Sequence, residues 1–116
     1  MGYEGDYVFE SKFTAPDANT ITQVGPKVTR GKLVRIISAH VVDYTHAEKG
    51  LVIGKRRPDG SDLYLRYVKL ASTYEAYLTQ PFFLIESEAP IGIVESPTAS
   101  DVLYFSFYGE VYKRVQ

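Results

Sequence analysis

The fold that this sequence predicts is all-β: an antiparallel β-sandwich of about eight strands. Three observations carry that reading. Val, Ile, Thr, Tyr and Phe together supply 43 of the 116 residues, and these side chains fit a pleated, half-buried surface. Apolar and polar residues alternate with a period of two in several segments. Clusters of Gly, Pro, Asp or Ser interrupt the chain at roughly ten-residue intervals, with no helical run long enough to serve as a βαβ crossover. An apolar content of 45% supports one modest core. The alternatives are a barrel of the same strands, or an open sheet with one helix in the Thr73 region.

The elements follow in order. Tyr7, Phe9, Ser11 and Phe13 share one face of an extended segment, and Val8, Glu10 and Lys12 share the other. Ala15 to Asn19 has turn chemistry, Thr20 to Val24 resumes an extended run, and Gly25-Pro26 ends it. Residues 1–29 are therefore read as two N-terminal strands or an exchange arm reaching a neighbouring subunit, and residues 30–116 as the sandwich proper.

From Gly31 the alternation strengthens. Leu33, Arg35, Ile37, Ala39 and Val41 fall on one side of a strand, with Val34, Ile36, Ser38 and His40 on the other. Asp43 to Lys49 forms a loop before Leu51 to Lys55. Pro58-Asp59-Gly60 is the clearest hairpin signal, a fixed φ followed by a residue that tolerates positive φ, so Leu63 to Leu70 should return antiparallel to Leu51–Lys55.

Thr73 to Leu78 suits either a short strand or one or two helical turns. Pro81 starts an extended Phe82 to Glu86, Ala89-Pro90 separates it from Ile91 to Val94, and Ser96 to Asp101 is a loop. In the last and most aromatic strand, Leu103, Phe105 and Phe107 line one face and Tyr104, Ser106 and Tyr108 the other. A bulge or turn at Gly109-Glu110 precedes Val111 to Val115.

Composition narrows the function. Thirteen basic and fourteen acidic side chains give a formal net charge of −1, which exerts no global pull on nucleic acid or an anionic bilayer. Cysteine is absent, which excludes disulfides, thiolate nucleophiles and thiolate metal cages. The first residues are acidic where a secretion signal would be basic. The longest apolar run, Phe82 to Ile85, falls far short of the ~20 residues that cross a bilayer, so a soluble chain without a membrane span is expected. Phosphate-cradling glycine loops, a nucleophile elbow and a calcium loop do not occur, and no enzyme activity or cofactor is expected.

Three groups of residues remain as candidates. His40, Asp43 and His46 concentrate imidazole and carboxylate, ligands suited to a borderline divalent metal such as zinc, although a solvent-facing strand-end cluster has the same composition. Lys55, Arg56 and Arg57 form the one dense basic run, which beside abundant tyrosine suggests nucleic acid; the acidic balance of the chain weighs against that partner. Ten tyrosines exceed what a small core needs. Tyr64, Tyr67, Tyr74, Tyr77, Tyr104, Tyr108 and Tyr112 are the candidates for a protein interface or a glycan platform, since a tyrosine ring buries well while its hydroxyl stays wet.

The strand spacing, the alternating faces and the near-terminal aromatic strand, taken over Gly31 to Val115, resemble the small jelly-roll subunits found in virus particles, including accessory capsid, decoration and spike components. The resemblance is one of layout and assigns no residue a role. It implies a virion structural protein that self-associates into trimers or larger rings, attaches to another structural protein and has no enzyme activity. A glycan-binding sandwich is the alternative.

Overall fold

The computed structural model describes residues 2–78 and 80–114. Nine strands follow one another: β1 (Gly2–Thr14), β2 (Ile21–Val24), β3 (Lys32–Asp43), β4 (Gly50–Arg56), β5 (Asp62–Val68), β6 (Glu75–Tyr77), β7 (Phe82–Leu84), β8 (Ala89–Glu95) and β9 (Val102–Lys113). They form two antiparallel sheets. One has the order β1-β9-β3-β6, with β7 also on β3, and the other the order β2-β8-β4-β5.

The pairing is nested. β1 pairs with β9, β2 with β8, β3 with β6 and β7, and β4 with β5. Successive nested pairs fall in opposite sheets, as in one long two-stranded ribbon rolled onto itself, which is jelly-roll topology. The tip of the ribbon is the predicted hairpin. The Arg57 amide donates to Ser61 O, the Gly60 amide donates to Arg57 O, and Gly60 takes φ +88°, in the left-handed region that glycine tolerates.

The core lies between the sheets. Val34, Ile36, Val41, Leu51, Ile53, Leu84, Val94, Leu103, Phe105 and Phe107 are buried there, with Phe9 stacked 6.2 Å from Phe107 and Phe13 6.1 Å from Phe105. Gly92 makes room for this packing, since a Cβ at that position would stand 2.6 Å from the Phe105 ring. Tyr7, Phe9 and Phe13 all face inward. The first 29 residues thus contribute two strands hydrogen-bonded within this chain, β1 to β9 and β2 to β8.

Three local expectations need correction, and one open choice is resolved. In β3 the strict alternation fails at Ile37, which is exposed, because the register with β9 shifts between Ile36 and Ser38 and this bulge flips the parity of the strand. Val34 and Ile36 point inward before it, and Ala39 and Val41 after it. Gly109-Glu110 does not end a strand: β9 runs on to Lys113, and the irregularity sits in β3 opposite. Val115 lies outside the described residues. Ala89-Pro90 opens β8 rather than preceding it, since Pro90 lies beyond the last residue paired with β2 and its carbonyl still accepts from the Gly25 amide. The ambiguous Thr73 segment contains strand β6, and the gap between β6 and β7 falls opposite the β3 bulge.

Candidate functional site

The aromatic strand β9 builds the most distinctive surface. With Leu103, Phe105 and Phe107 turned into the core, Tyr104, Ser106 and Tyr108 turn outward, and Tyr112 follows on the same face. The register sets Lys12 and Val8 of β1 beside Tyr104 and Tyr108, and Val42, His40 and Ser38 of β3 on the other side. Tyr77 of β6 stands opposite His40, and Phe83 of β7 opposite Arg35. Of the predicted tyrosines, Tyr77, Tyr104, Tyr108 and Tyr112 therefore share the outer face of one sheet.

Residues that the sequence did not single out join them. Tyr3 packs edge-on against Tyr112 at 6.0 Å, and Tyr44 lies 6.3 Å from Tyr104 with the Lys12 ammonium 5.6 Å from the Tyr44 ring centre. Tyr3 is 56% exposed, Phe83 51%, Tyr77 49% and Tyr108 39%, so the rings lie open. Val8 has the parity of the outward set, but Tyr3 has that of the inward Tyr7 and Phe9 and reaches the outer face only because the register with β9 shifts between Tyr3 and Gly5, while Tyr44 belongs to a loop.

Carboxylates fix the ring orientations. Tyr3 donates to Asp6 Oδ1 at 2.5 Å, Tyr108 to the same oxygen at 3.3 Å, Tyr104 to Glu10 at 3.1 Å and Tyr112 to Glu110 at 2.9 Å. The hydrogen bond to Asp6 pushes the Tyr3 phenol up to about 12. The charge of Asp6 raises Tyr108, and the hydrogen bond to Glu110 raises Tyr112. Each of these phenols therefore stays protonated as a donor, and each carboxylate keeps lone pairs for a further partner.

The remaining tyrosines lie elsewhere. Tyr64 and Tyr67 belong to β5 in the other sheet, where Tyr67 donates to Glu95 at 2.7 Å, and Tyr74 sits in the loop before β6. The basic run is largely spoken for. Lys55 pairs with the buried Glu88 at 2.9 Å, Arg56 makes a two-pronged bridge to Asp62 at 2.8 and 3.2 Å, and Arg57 reaches the Ser61 hydroxyl at 3.5 Å. This neutralises two of the three cations within the protein and leaves no continuous basic strip at the hairpin.

The predicted metal cluster is rearranged. His40 and Asp43 are on opposite faces of β3: His40 stands on the outer face, 3.4 Å from Glu75, while Asp43 turns inward with Val41. Asp43 instead meets His46 and Asp101, the donor atoms of all three lying within 4.8 Å of one another. Asp101 was missed because it is remote in sequence; the β3–β9 register that pairs Asp43 with Leu103 brings it in.

The two carboxyls of this cluster are fully buried and the imidazole is half exposed. Asp43 Oδ1 accepts the Thr45 and His46 amides at 2.9 and 3.0 Å. Asp101 Oδ2 accepts the Thr98 amide at 2.9 Å, and its Oδ1 lies 2.5 Å from His46 Nδ1. Asp43 Oδ2 is buried and no N–H or hydroxyl donor reaches it. Burial, reinforced by the neighbouring Asp101, pushes the Asp43 carboxyl up. For Asp101 burial acts in the same direction, but hydrogen bonds to Asp43, His46 and the Thr98 amide outweigh it and hold that carboxyl low.

No family model matches this chain, and no curated protein matches it in sequence. Among solved structures it is similar to the Drosophila NLP-core, described for pentamer formation and histone binding, at 18% identity over 91% of this chain and 98% of that one, with a TM-score of 0.46. It is also similar to a chain in the structure of the infectious bursal disease virus Gt strain, at 20% identity and a TM-score of 0.38. That match covers 93% of this chain but 30% of the viral one. The jelly-roll assignment rests on this chain's own strand order. No helix among the described residues is long and apolar enough to cross a membrane.

Proposed function

We propose that this protein is a non-enzymatic structural subunit that assembles through the outer face of the β1-β9-β3 sheet. The observation that carries the reading is the set of six rings on one sheet face, Tyr3, Tyr77, Phe83 and Tyr108 exposed and Tyr104 and Tyr112 half-buried. Aromatic side chains with few rotamers lose little entropy on docking and supply most of the energy at protein interfaces. Four of them are already oriented by carboxylates, which lowers that cost further. A homo-oligomer, with a trimer as its expected form, and attachment to another structural protein of a virion fit this surface.

A second reading, glycan binding, draws on the same hydroxyl–carboxylate pairs, since a sugar can stack on a ring while its hydroxyls donate to Asp6, Glu10 or Glu110. Molar mass by light scattering separates the two. Assembly predicts an oligomer that dissociates into folded monomers in Tyr108→Ala, with association weakened at least about tenfold. A wild-type monomer with a saturable glycan response that Tyr108→Ala abolishes would establish the second reading instead.

A further inference from the structure

We infer that Asp43, His46 and Asp101 form a binding site for a divalent cation of the zinc class, tying the loop after β3 to the loop before β9. Three donors from two loops converge, all within 4.8 Å of one another. Two buried carboxyl groups beside one half-exposed imidazole concentrate anionic oxygens in a small space. That charge sits where the protein supplies little solvent to screen it.

The second observation is Asp43 Oδ2. It is a fully buried oxygen that no N–H or hydroxyl donor reaches, on a residue whose other oxygen is already satisfied by two amides and whose carboxyl can otherwise share a proton with Asp101. A buried acceptor left unpaired costs free energy, so something must sit against it. A shared proton, a water donating to both carboxylates or a cation can fill that place, and the imidazole beside the pair favours the cation. An imidazole beside a carboxylate pair is a donor set for zinc and its neighbours in the first transition row, whereas calcium prefers oxygen alone. The half-exposed His46 marks the side from which the ion enters and where water completes its coordination.

The surrounding structure already serves as a second shell. The Thr98 amide holds Asp101 Oδ2, the Thr45 and His46 amides hold Asp43 Oδ1, and the Val102 amide donates to the Thr45 hydroxyl at 3.0 Å, so both carboxylates are held before any ion arrives. Loading requires only that the 2.5 Å contact between His46 Nδ1 and Asp101 Oδ1 opens to the wider spacing of two ligands on one metal.

The test is zinc alone, added to metal-free full-length protein. Calorimetry should show one saturable site per chain, and the Tm should rise on the order of 10 °C at a hundredfold excess over the dissociation constant, with reversal by chelator. His46→Ala, a half-exposed position, should fold and bind at least about tenfold more weakly. Asp43→Asn keeps the amide acceptor and places an N–H against Asp101. It should therefore fold well in metal-free buffer yet gain no Tm from zinc. His40→Ala, on the other face of the strand, should bind as the wild type does. Absence of saturable binding, with the same Tm with and without zinc, would mean that a shared proton alone occupies the pair and would overturn the inference. Equal binding by His46→Ala and Asp43→Asn would overturn it as well.

Discussion

The two outer faces of the sandwich differ at their centres. On the β2-β8-β4-β5 sheet the centre of the outer face is Val52, Ile91 and Ile93, at most 4% exposed, a small apolar cluster separate from the main core. Tyr67, cross-strand from Val52, reaches over β4 to Glu95 and helps to roof it. On the β1-β9-β3 sheet the corresponding surface carries large rings that remain open. Burial is thus not decided by which side of a sheet a residue occupies. Short aliphatic side chains at the centre of a sheet are covered by their own neighbours, while long aromatic ones stand above theirs and stay available to a partner.

The largest effect expected is on the reverse side of the open face. Phe105→Ala, one residue from Tyr104 but turned into the core, should cost about 3–5 kcal/mol in a denaturant titration. Ile91→Ala should come next at about 2–5 kcal/mol although it points away from the sandwich interior, because its surroundings are closed. A loss near zero for Ile91→Ala would show that the second outer face is open too, and the contrast between the faces would collapse.

A smaller effect reads the carboxylate clamps directly. Since the folded Tyr3 phenol is raised to about 12, the contribution of the Tyr3–Asp6 pair is full below pH ~10, where unfolded tyrosine titrates, and is lost as pH rises through the folded value. Asp6→Asn should bring the Tyr3 titration, followed by tyrosinate absorbance, back toward ~10. A Tyr3 titration that stays at its wild-type position in that variant would mean that Asp6 does not hold the ring.

Much of this was legible because period-two alternation is a local signal. The inward and outward sets of β1 from Tyr7 to Phe13 and of β9 up to Tyr108, and the Pro58-Asp59-Gly60 hairpin, follow from neighbouring residues alone. What escaped depended on distant pairing. The Ile37 bulge is imposed by the register against β9, and nothing in the run Ile36-Ile37-Ser38 marks where parity flips. Pro90 lies inside a strand because β2 ends before it. Asp101 joins Asp43 across almost sixty residues through the β3–β9 pairing, whereas His40 is near Asp43 in sequence but on the opposite face of the strand. The number of tyrosines marks some of them as surface residues, but their division between two sheets follows only from the topology.

The central claim is that the β1-β9-β3 face is covered by other copies of the chain. Tyrosine-selective chemical footprinting across a protein dilution series tests it most directly. Tyr3, Tyr108 and Tyr112 should lose reactivity as concentration rises, while Tyr64 and Tyr74 should react equally at every concentration. Unchanged reactivity of the first three, or protection of Tyr64 and Tyr74 in their place, would contradict it.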